Sequence, residues 1–120
     1  MDYQKPKGTI MYVEDEVDAL CTMMEFLALR GFAVITAVTA EEGYEKLKKY
    51  NPDLILVDIN LIGESGIDFI KRIRKEGVKT PIIVITDHPQ RTAEIESRGL
   101  NVYGYFEKPF SFADLYKTIK

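Results

Sequence analysis

The sequence predicts an α/β domain, a doubly wound parallel sheet of five strands with five helices. Three observations carry this. Strand-like and helix-like stretches alternate five times along the 120 residues, the pattern of successive strand–helix crossovers. The strand-like runs are continuously apolar, as in Leu54-Ile55-Leu56-Val57 and Ile82-Ile83-Val84-Ile85, which marks strands covered on both faces. Glycines stand where helical stretches stop, at Gly31, Gly77 and Gly99, because glycine enters the left-handed conformation past a helix C-terminus without steric penalty.

Size and composition fit one such domain. An apolar share of 46% over 120 residues supplies a core without staples, since a chain of this size buries roughly two-thirds of its unfolded surface. The formal charge of −3 offers no basic patch for nucleic acid. Cys21 is the only cysteine, so no disulfide forms within the chain, and it reads as a small buried hydrophobe. No apolar run approaches the roughly 20 residues of a membrane span, and the polar start MDYQKPKG has no hydrophobic segment of a signal peptide. A soluble cytoplasmic protein is the expectation.

Residues 1–8 are polar, with Pro6 and Gly8, and read as a flexible tail before a domain spanning 9–120. Residues 9–13 form the first strand, followed by three acids, Glu14-Asp15-Glu16. The first helix spans 17–30. Leu20, Met24 and Leu27 share one stripe, Met23 and Phe26 lie beside it, and Ala19, Cys21, Ala28 and Leu29 widen it. So wide an apolar surface either packs deeply on the sheet or docks a partner. Residues 32–38 are the second strand. Thr39 caps the next helix, and Thr39-x-x-Glu42 has the form of a capping box. That helix runs to Tyr50, with Ala40, Gly43, Tyr44 and Leu47 on one side and Lys46, Lys48 and Lys49 on a solvated face. Asn51-Pro52 stops it.

The third strand, 54–58, ends in Asp58. Residues 61–65 are a loop, and 66–76 a helix with Ile67, Phe69, Ile70 and Ile73 inward and Lys71, Arg72, Arg74 and Lys75 outward. Residues 81–86 are the fourth strand. Asp87-His88-Pro89 opens a polar helix, with Pro89 suited to its first turn. Residues 101–106 are the last strand, and Ser111 caps a final helix to Lys120.

In a parallel sheet the carboxyl ends of the strands face one edge, where ligands bind. Here they carry Glu14 and Asp15, then Asp58, then Thr86, then Lys108. Clustered carboxylates raise one another's pKa unless a cation intervenes. A hard divalent ion such as Mg²⁺ fits oxygen ligands of this kind. It would draw in a phosphoryl group, with Lys108 as a point charge on it and Thr86 as a hydrogen-bond donor. Asp58 is then the nucleophile, and an aspartyl phosphate the covalent product.

Several motifs, in order and spacing, match one family: Val13-Glu14-Asp15-Glu16, Leu56-Val57-Asp58, Gly66 eight positions later, Ile85-Thr86 and Lys108-Pro109-Phe110. The chain resembles the receiver domain of bacterial two-component response regulators over nearly everything after the tail. The resemblance implies a flavodoxin-like sheet in strand order 2-1-3-4-5 and a phosphorylation-dependent signalling switch. Asp58 would accept the phosphoryl group from a phosphohistidine on a sensor histidine kinase or a phosphotransfer protein. Asp15, Asp58 and the main-chain carbonyl of Asn60 would hold Mg²⁺, with Glu14 acting partly through water. Lys108 would neutralise phosphoryl charge, Thr86 would turn toward the phosphoryl, and Tyr105 would move inward with it. The Lys108–Pro109 bond would be cis. The resemblance implies no enzyme acting on an external substrate: the domain would catalyse only its own phosphorylation and slow dephosphorylation. The helix over 89–99, the last strand and the last helix would form the output surface, and a homodimer through it is one assembly the resemblance allows, with the oligomeric state left open by the sequence.

Some positions depart from the family habit. Asp87 stands where a small residue is usual, and Ile62 where proline is common. The 89–99 helix looks about two residues short, with 100–103 correspondingly long. Asn60, Asp87 and His88 are read as modulators of phosphoryl lifetime. Other function classes fit less well. A docking module of the same fold would not need Asp15, Asp58, Thr86 and Lys108 together. A flavin or dinucleotide carrier needs a phosphate loop after the first strand, where this chain has three acids. A phosphatase with an aspartyl intermediate would want an acid two residues after Asp58, where Asn60 stands.

Overall fold

A computed structural model describes residues 6–87, 94–95 and 98–119. Five parallel strands lie in the order β2-β1-β3-β4-β5: β1 (Thr9–Val13), β2 (Ala33–Ala37), β3 (Leu54–Asp58), β4 (Ile82–Thr86) and β5 (Gly104–Glu107). Among the described residues there are four helices: α1 (Val17–Leu29), α2 (Ala40–Tyr50), α3 (Gly66–Lys75) and α4 (Phe112–Ile119). The fifth expected helix, over 89–99, falls largely outside the described residues. Within it Glu94 and Ile95 are helical, and the Arg98 N–H bonds back to the Glu94 carbonyl at 3.2 Å.

Alternation along each strand splits the core in two. Met11, Val13, Ile55, Val57, Ile82 and Val84 pack with Leu47, Phe69, Ile70 and Ile73 of α2 and α3. Ile10, Tyr12, Leu54, Leu56, Ile83 and Ile85 pack with Leu20, Met23 and Leu27 of α1 and Leu115 of α4. All five residues of β3 and all five of β4 are buried, as continuous apolar runs require.

The helix ends follow local chemistry. Thr39 Oγ1 accepts the Glu42 N–H at 3.0 Å. The Glu42 carboxylate reaches the Val38 N–H at 2.7 Å, one residue short of the reciprocal bond of a full capping box. Ser65 and Ser111 accept from the N–H groups of Asp68 and Asp114. Gly31, Gly77 and Gly99 all have positive φ.

Several expectations need correction. In α1 the buried residues are Leu20, Met23 and Leu27, while Met24 is 39% exposed. Cys21 is exposed rather than buried. α1 is apolar on nearly every side, so periodicity says little about which side turns inward. β5 begins at Gly104, not 101, because Asn101 sits at φ 55°, outside strand conformation. The basic residues of α3 are not uniformly solvated. Arg74 donates to the carbonyls of Val78, Thr80, Leu100 and Asn101 at 2.8–3.2 Å. Arg72 pairs with Glu64 at 3.2 Å and stacks on the Tyr44 ring. Of the expected tail, residues 1–5 lie outside the described residues. Lys7 is tied to Gly31 through its main-chain N–H and to the Tyr116 hydroxyl through Nζ.

Candidate phosphoacceptor site

The parallel sheet brings its strand ends to one edge. Glu14 continues β1, its N–H bonded to the Ala37 carbonyl at 2.9 Å. Asp58 closes β3 beside Ile85 of β4, and Thr86 closes β4 opposite Glu107 of β5. The Lys108 N–H extends that pairing onto the Thr86 carbonyl at 2.7 Å, which sends the lysine side chain back over the sheet edge. The Lys108–Pro109 bond is cis.

Three side chains meet directly. Lys108 Nζ donates to Asp58 Oδ2 at 2.7 Å and to Glu14 Oε1 at 2.9 Å. Asp58 is 4% exposed and Glu14 1%, so both carboxylates lie where an unpaired charge is costly. The second oxygen of Asp58 accepts the Asn60 N–H at 2.7 Å. Burial pushes the Glu14 carboxyl up; its bond to Lys108 pulls it down, but Asp58 beside it adds to the rise. Burial alone would lower the Lys108 ammonium, yet its bonds to Asp58 and Glu14 outweigh this and hold it above the usual lysine range. Both groups therefore move upward for different reasons: burial and the neighbouring Asp58 disfavour the charged form of Glu14, whereas two counter-charges favour the charged form of Lys108.

Other expected residues stand around this contact. Asp15 accepts the Ile62 N–H at 3.1 Å, which ties the end of β1 to the loop after β3. The Asn60 side-chain amide donates to Asp87 Oδ1 at 2.5 Å. Thr86 is 1% exposed at the end of β4. Tyr105 packs half-buried against the core between the sheet and α2 and α3. His88 lies outside the described residues. Tyr12 was not singled out from the sequence. It is buried on β1 and its hydroxyl donates to Glu14 Oε1 at 3.0 Å. The available signal was its position two residues before Glu14, on the same side of the strand.

Among the described residues no three acidic, histidine or cysteine side chains are grouped as a metal cage. The donor chemistry nevertheless fits a hard cation. Glu14 and Asp58 offer carboxylate oxygens at neighbouring strand ends and share one ammonium, Asp15 follows Glu14 directly with a third carboxylate, and burial disfavours the charged form of Glu14. Oxygen donors with partial hydration suit Mg²⁺.

Comparison with known proteins places these features. The family model for the response regulator receiver domain matches residues 10–120. The transcriptional regulatory protein DltR of Streptococcus agalactiae is 32% identical over 111 residues, covering 92% of this chain and 50% of DltR. The two-component response regulator PhoP of Pseudomonas aeruginosa is 30% identical over 106 residues, covering 88% of this chain and 47% of PhoP. The chain thus spans about half the length of these curated relatives. Among solved structures, the Vibrio cholerae chemotaxis protein CheY4 superposes with a TM-score of 0.85 at 25% identity, with 97% of each chain covered. The response regulator protein TrrA of Thermotoga maritima, solved in complex with Mg²⁺-BeF, superposes with a TM-score of 0.84 at 28% identity, covering 97% of this chain and 96% of TrrA.

Proposed function

The chain belongs to the response regulator receiver domain family, and from that premise we propose that it is switched by Mg²⁺-assisted transfer of a phosphoryl group onto Asp58. The observation that carries this reading is the shared ion pair, Lys108 on both Asp58 and Glu14. A buried carboxylate placed at a strand mouth beside a lysine and further acids is a nucleophile with its charge compensation already at hand.

An Asp58 carboxylate oxygen attacks phosphorus, and the bond from phosphorus to the donor's imidazole nitrogen breaks with its electron pair leaving on that nitrogen. Glu14, Asp15, Asp58 and the Asn60 carbonyl would hold Mg²⁺, which when bound offsets the charge of the phosphoryl oxygens. Lys108 lies within reach of the group on Asp58 and stabilises its charge. Thr86 closes the adjacent strand and donates its hydroxyl to a phosphoryl oxygen. Tyr105, on the neighbouring edge strand, follows Thr86 inward. The new charge, about −2, biases the position of these residues and so the surface they support. Hydrolysis, with water attacking phosphorus, returns the carboxylate; Asn60 and Asp87 stand at the mouth where that water enters.

The phosphodonor is a phosphohistidine protein, a sensor kinase or a phosphotransfer protein. α1 offers it Val17, Cys21 and Met24, exposed at spacings of four and three residues. No helix among the described residues is long and apolar enough to cross a membrane. The test is incubation with a small-molecule phosphodonor and Mg²⁺. A mass gain of one phosphoryl group that Asp58→Ala abolishes is expected, and no gain with several donors would overturn the reading.

A further inference from the structure

The Glu14 carboxylate is oriented by more than Lys108. Its Oε1 accepts from Lys108 Nζ at 2.9 Å and from the Tyr12 hydroxyl at 3.0 Å. Its Oε2 faces the Glu16 N–H at 3.4 Å. Tyr12 is 1% exposed and belongs to the same buried cluster as Leu20, Met23, Leu56 and Ile83. That packing needs an aromatic ring of this size but not its hydroxyl. The hydroxyl reaches along β1 to the Glu14 carboxylate.

We propose that Tyr12 is a positioning residue of the phosphoacceptor site: its hydroxyl fixes the Glu14 carboxylate in the orientation that shares Lys108 with Asp58, and through Glu14 it sets the affinity of the site for a divalent cation. The inference rests on the Mg²⁺-assisted reading above. Two nearly buried carboxylates, at 1% and 4% exposure, repel one another and turn apart unless something holds them. Lys108 holds them by charge, and each added positive charge would weaken the attraction for a metal. A phenol orients a carboxylate without neutralising it. The site therefore keeps its negative charge while one of its acids is held still, which lowers the ordering cost of binding a cation. Partners that orient metal ligands from behind are usually worth roughly 10- to 100-fold in metal affinity.

The test is Tyr12→Phe, which keeps the ring and removes the donor. Mg²⁺ binding by calorimetry is expected to weaken roughly tenfold. The Mg²⁺ concentration giving half-maximal phosphorylation should rise by the same factor, with the rate at saturating Mg²⁺ nearly unchanged. In a Glu14→Gln background the same substitution should change Mg²⁺ affinity no further. On the unsubstituted chain, Mg²⁺ should shift the Tyr12 Cζ resonance, one of 7 tyrosines. A Tyr12→Phe chain with Mg²⁺ affinity equal to the parent overturns the proposal, whatever its melting temperature. An unmoved Tyr12 resonance does so even where the variant fails to fold. A parent chain that takes up neither Mg²⁺ nor phosphoryl sinks the underlying reading together with this one. A parent that takes up both, beside an unaltered variant, sinks this one alone.

Discussion

Gly66 presses against the main chain of Asp58. A Cβ on it would lie 2.5 Å from the Asp58 carbonyl oxygen and 2.8 Å from the Ile59 Cα, and its N–H bonds to the Ile59 carbonyl at 3.0 Å. The first turn of α3 thus rests directly on Asp58, the phosphoacceptor proposed above.

In an open helix, alanine in place of glycine gains about 1 kcal/mol. Here the colliding atoms are backbone and cannot turn aside, so the clash wins. Gly66→Ala is expected to cost about 1–3 kcal/mol, the range for overpacked cores, by urea denaturation, and to slow phosphorylation of Asp58 at saturating donor. A variant as stable as the parent would show that α3 slides freely over β3.

Lys108→Met removes the cation that bridges Glu14 and Asp58. Losing one preorganised charge partner of a transition state costs roughly 10²-fold in rate, and a loss of this order is expected in single-turnover phosphorylation followed by mass spectrometry. Lys108→Arg should not restore the rate, because a planar fork does not replace a compact ammonium between two carboxylates. Full activity in either variant would remove the lysine from the mechanism.

The Asn60 amide donates to the Asp87 carboxylate, and on the function proposed above Asp87 shields a phosphoryl on Asp58 from water. Asp87→Ala should shorten the phosphoryl lifetime several-fold, read from decay after the donor is removed. Asn60→Ala, which removes that hydrogen bond, should move in the same direction. An unchanged lifetime in Asp87→Ala would mean that water arrives by another route.

Arg74 binds four carbonyls, two in the segment before β4 and two in the segment before β5. Charged donors on backbone oxygens contribute about 1.5–3 kcal/mol, and burial pulls the guanidinium down from its usual range, so part of that gain is offset. Arg74→Met is expected to cost about 2 kcal/mol and to speed amide exchange at 78–80 and 100–102. Arg74→Lys should recover little of it, since one ammonium cannot span both segments. Unaltered exchange there would make the contacts incidental.

How legible the molecule was depends on what each residue's chemistry reveals locally. β3 and β4 could be read directly, because only doubly covered strands are continuously apolar. Asp58, Glu14, Thr86 and Lys108 were legible as strand ends, since parallel topology alone brings such ends together. The inward face of α1 was not, because Met23 and Met24 are chemically alike and apolar residues flank the Asp18, Thr22 and Glu25 stripe on both sides. Arg74 looks like Lys71 and Lys75 in sequence. Its role depends on two loops, 78–80 and 100–101, that only the folded chain sets beside it. Tyr12 carried a faint signal in its spacing from Glu14, hidden because an aromatic in a central strand already has a sufficient reason to be there.

The origins of the ion pair along the chain bear on how the molecule is made. Both acids stand on adjacent strands in the middle of the sheet, β1 and β3, whereas the lysine follows β5 at its edge. During synthesis the amino-terminal portion emerges first. A nascent chain can therefore assemble the central strands and bring Glu14 and Asp58 together while Lys108 is still inside the ribosome. Until the edge strand docks, Lys108 does not offset that pair, which favours an open, solvated mouth. Closure of the sheet and charge balance at its reactive end are then one event, and a protease or chaperone that samples unfinished chains would meet them in the unbalanced form.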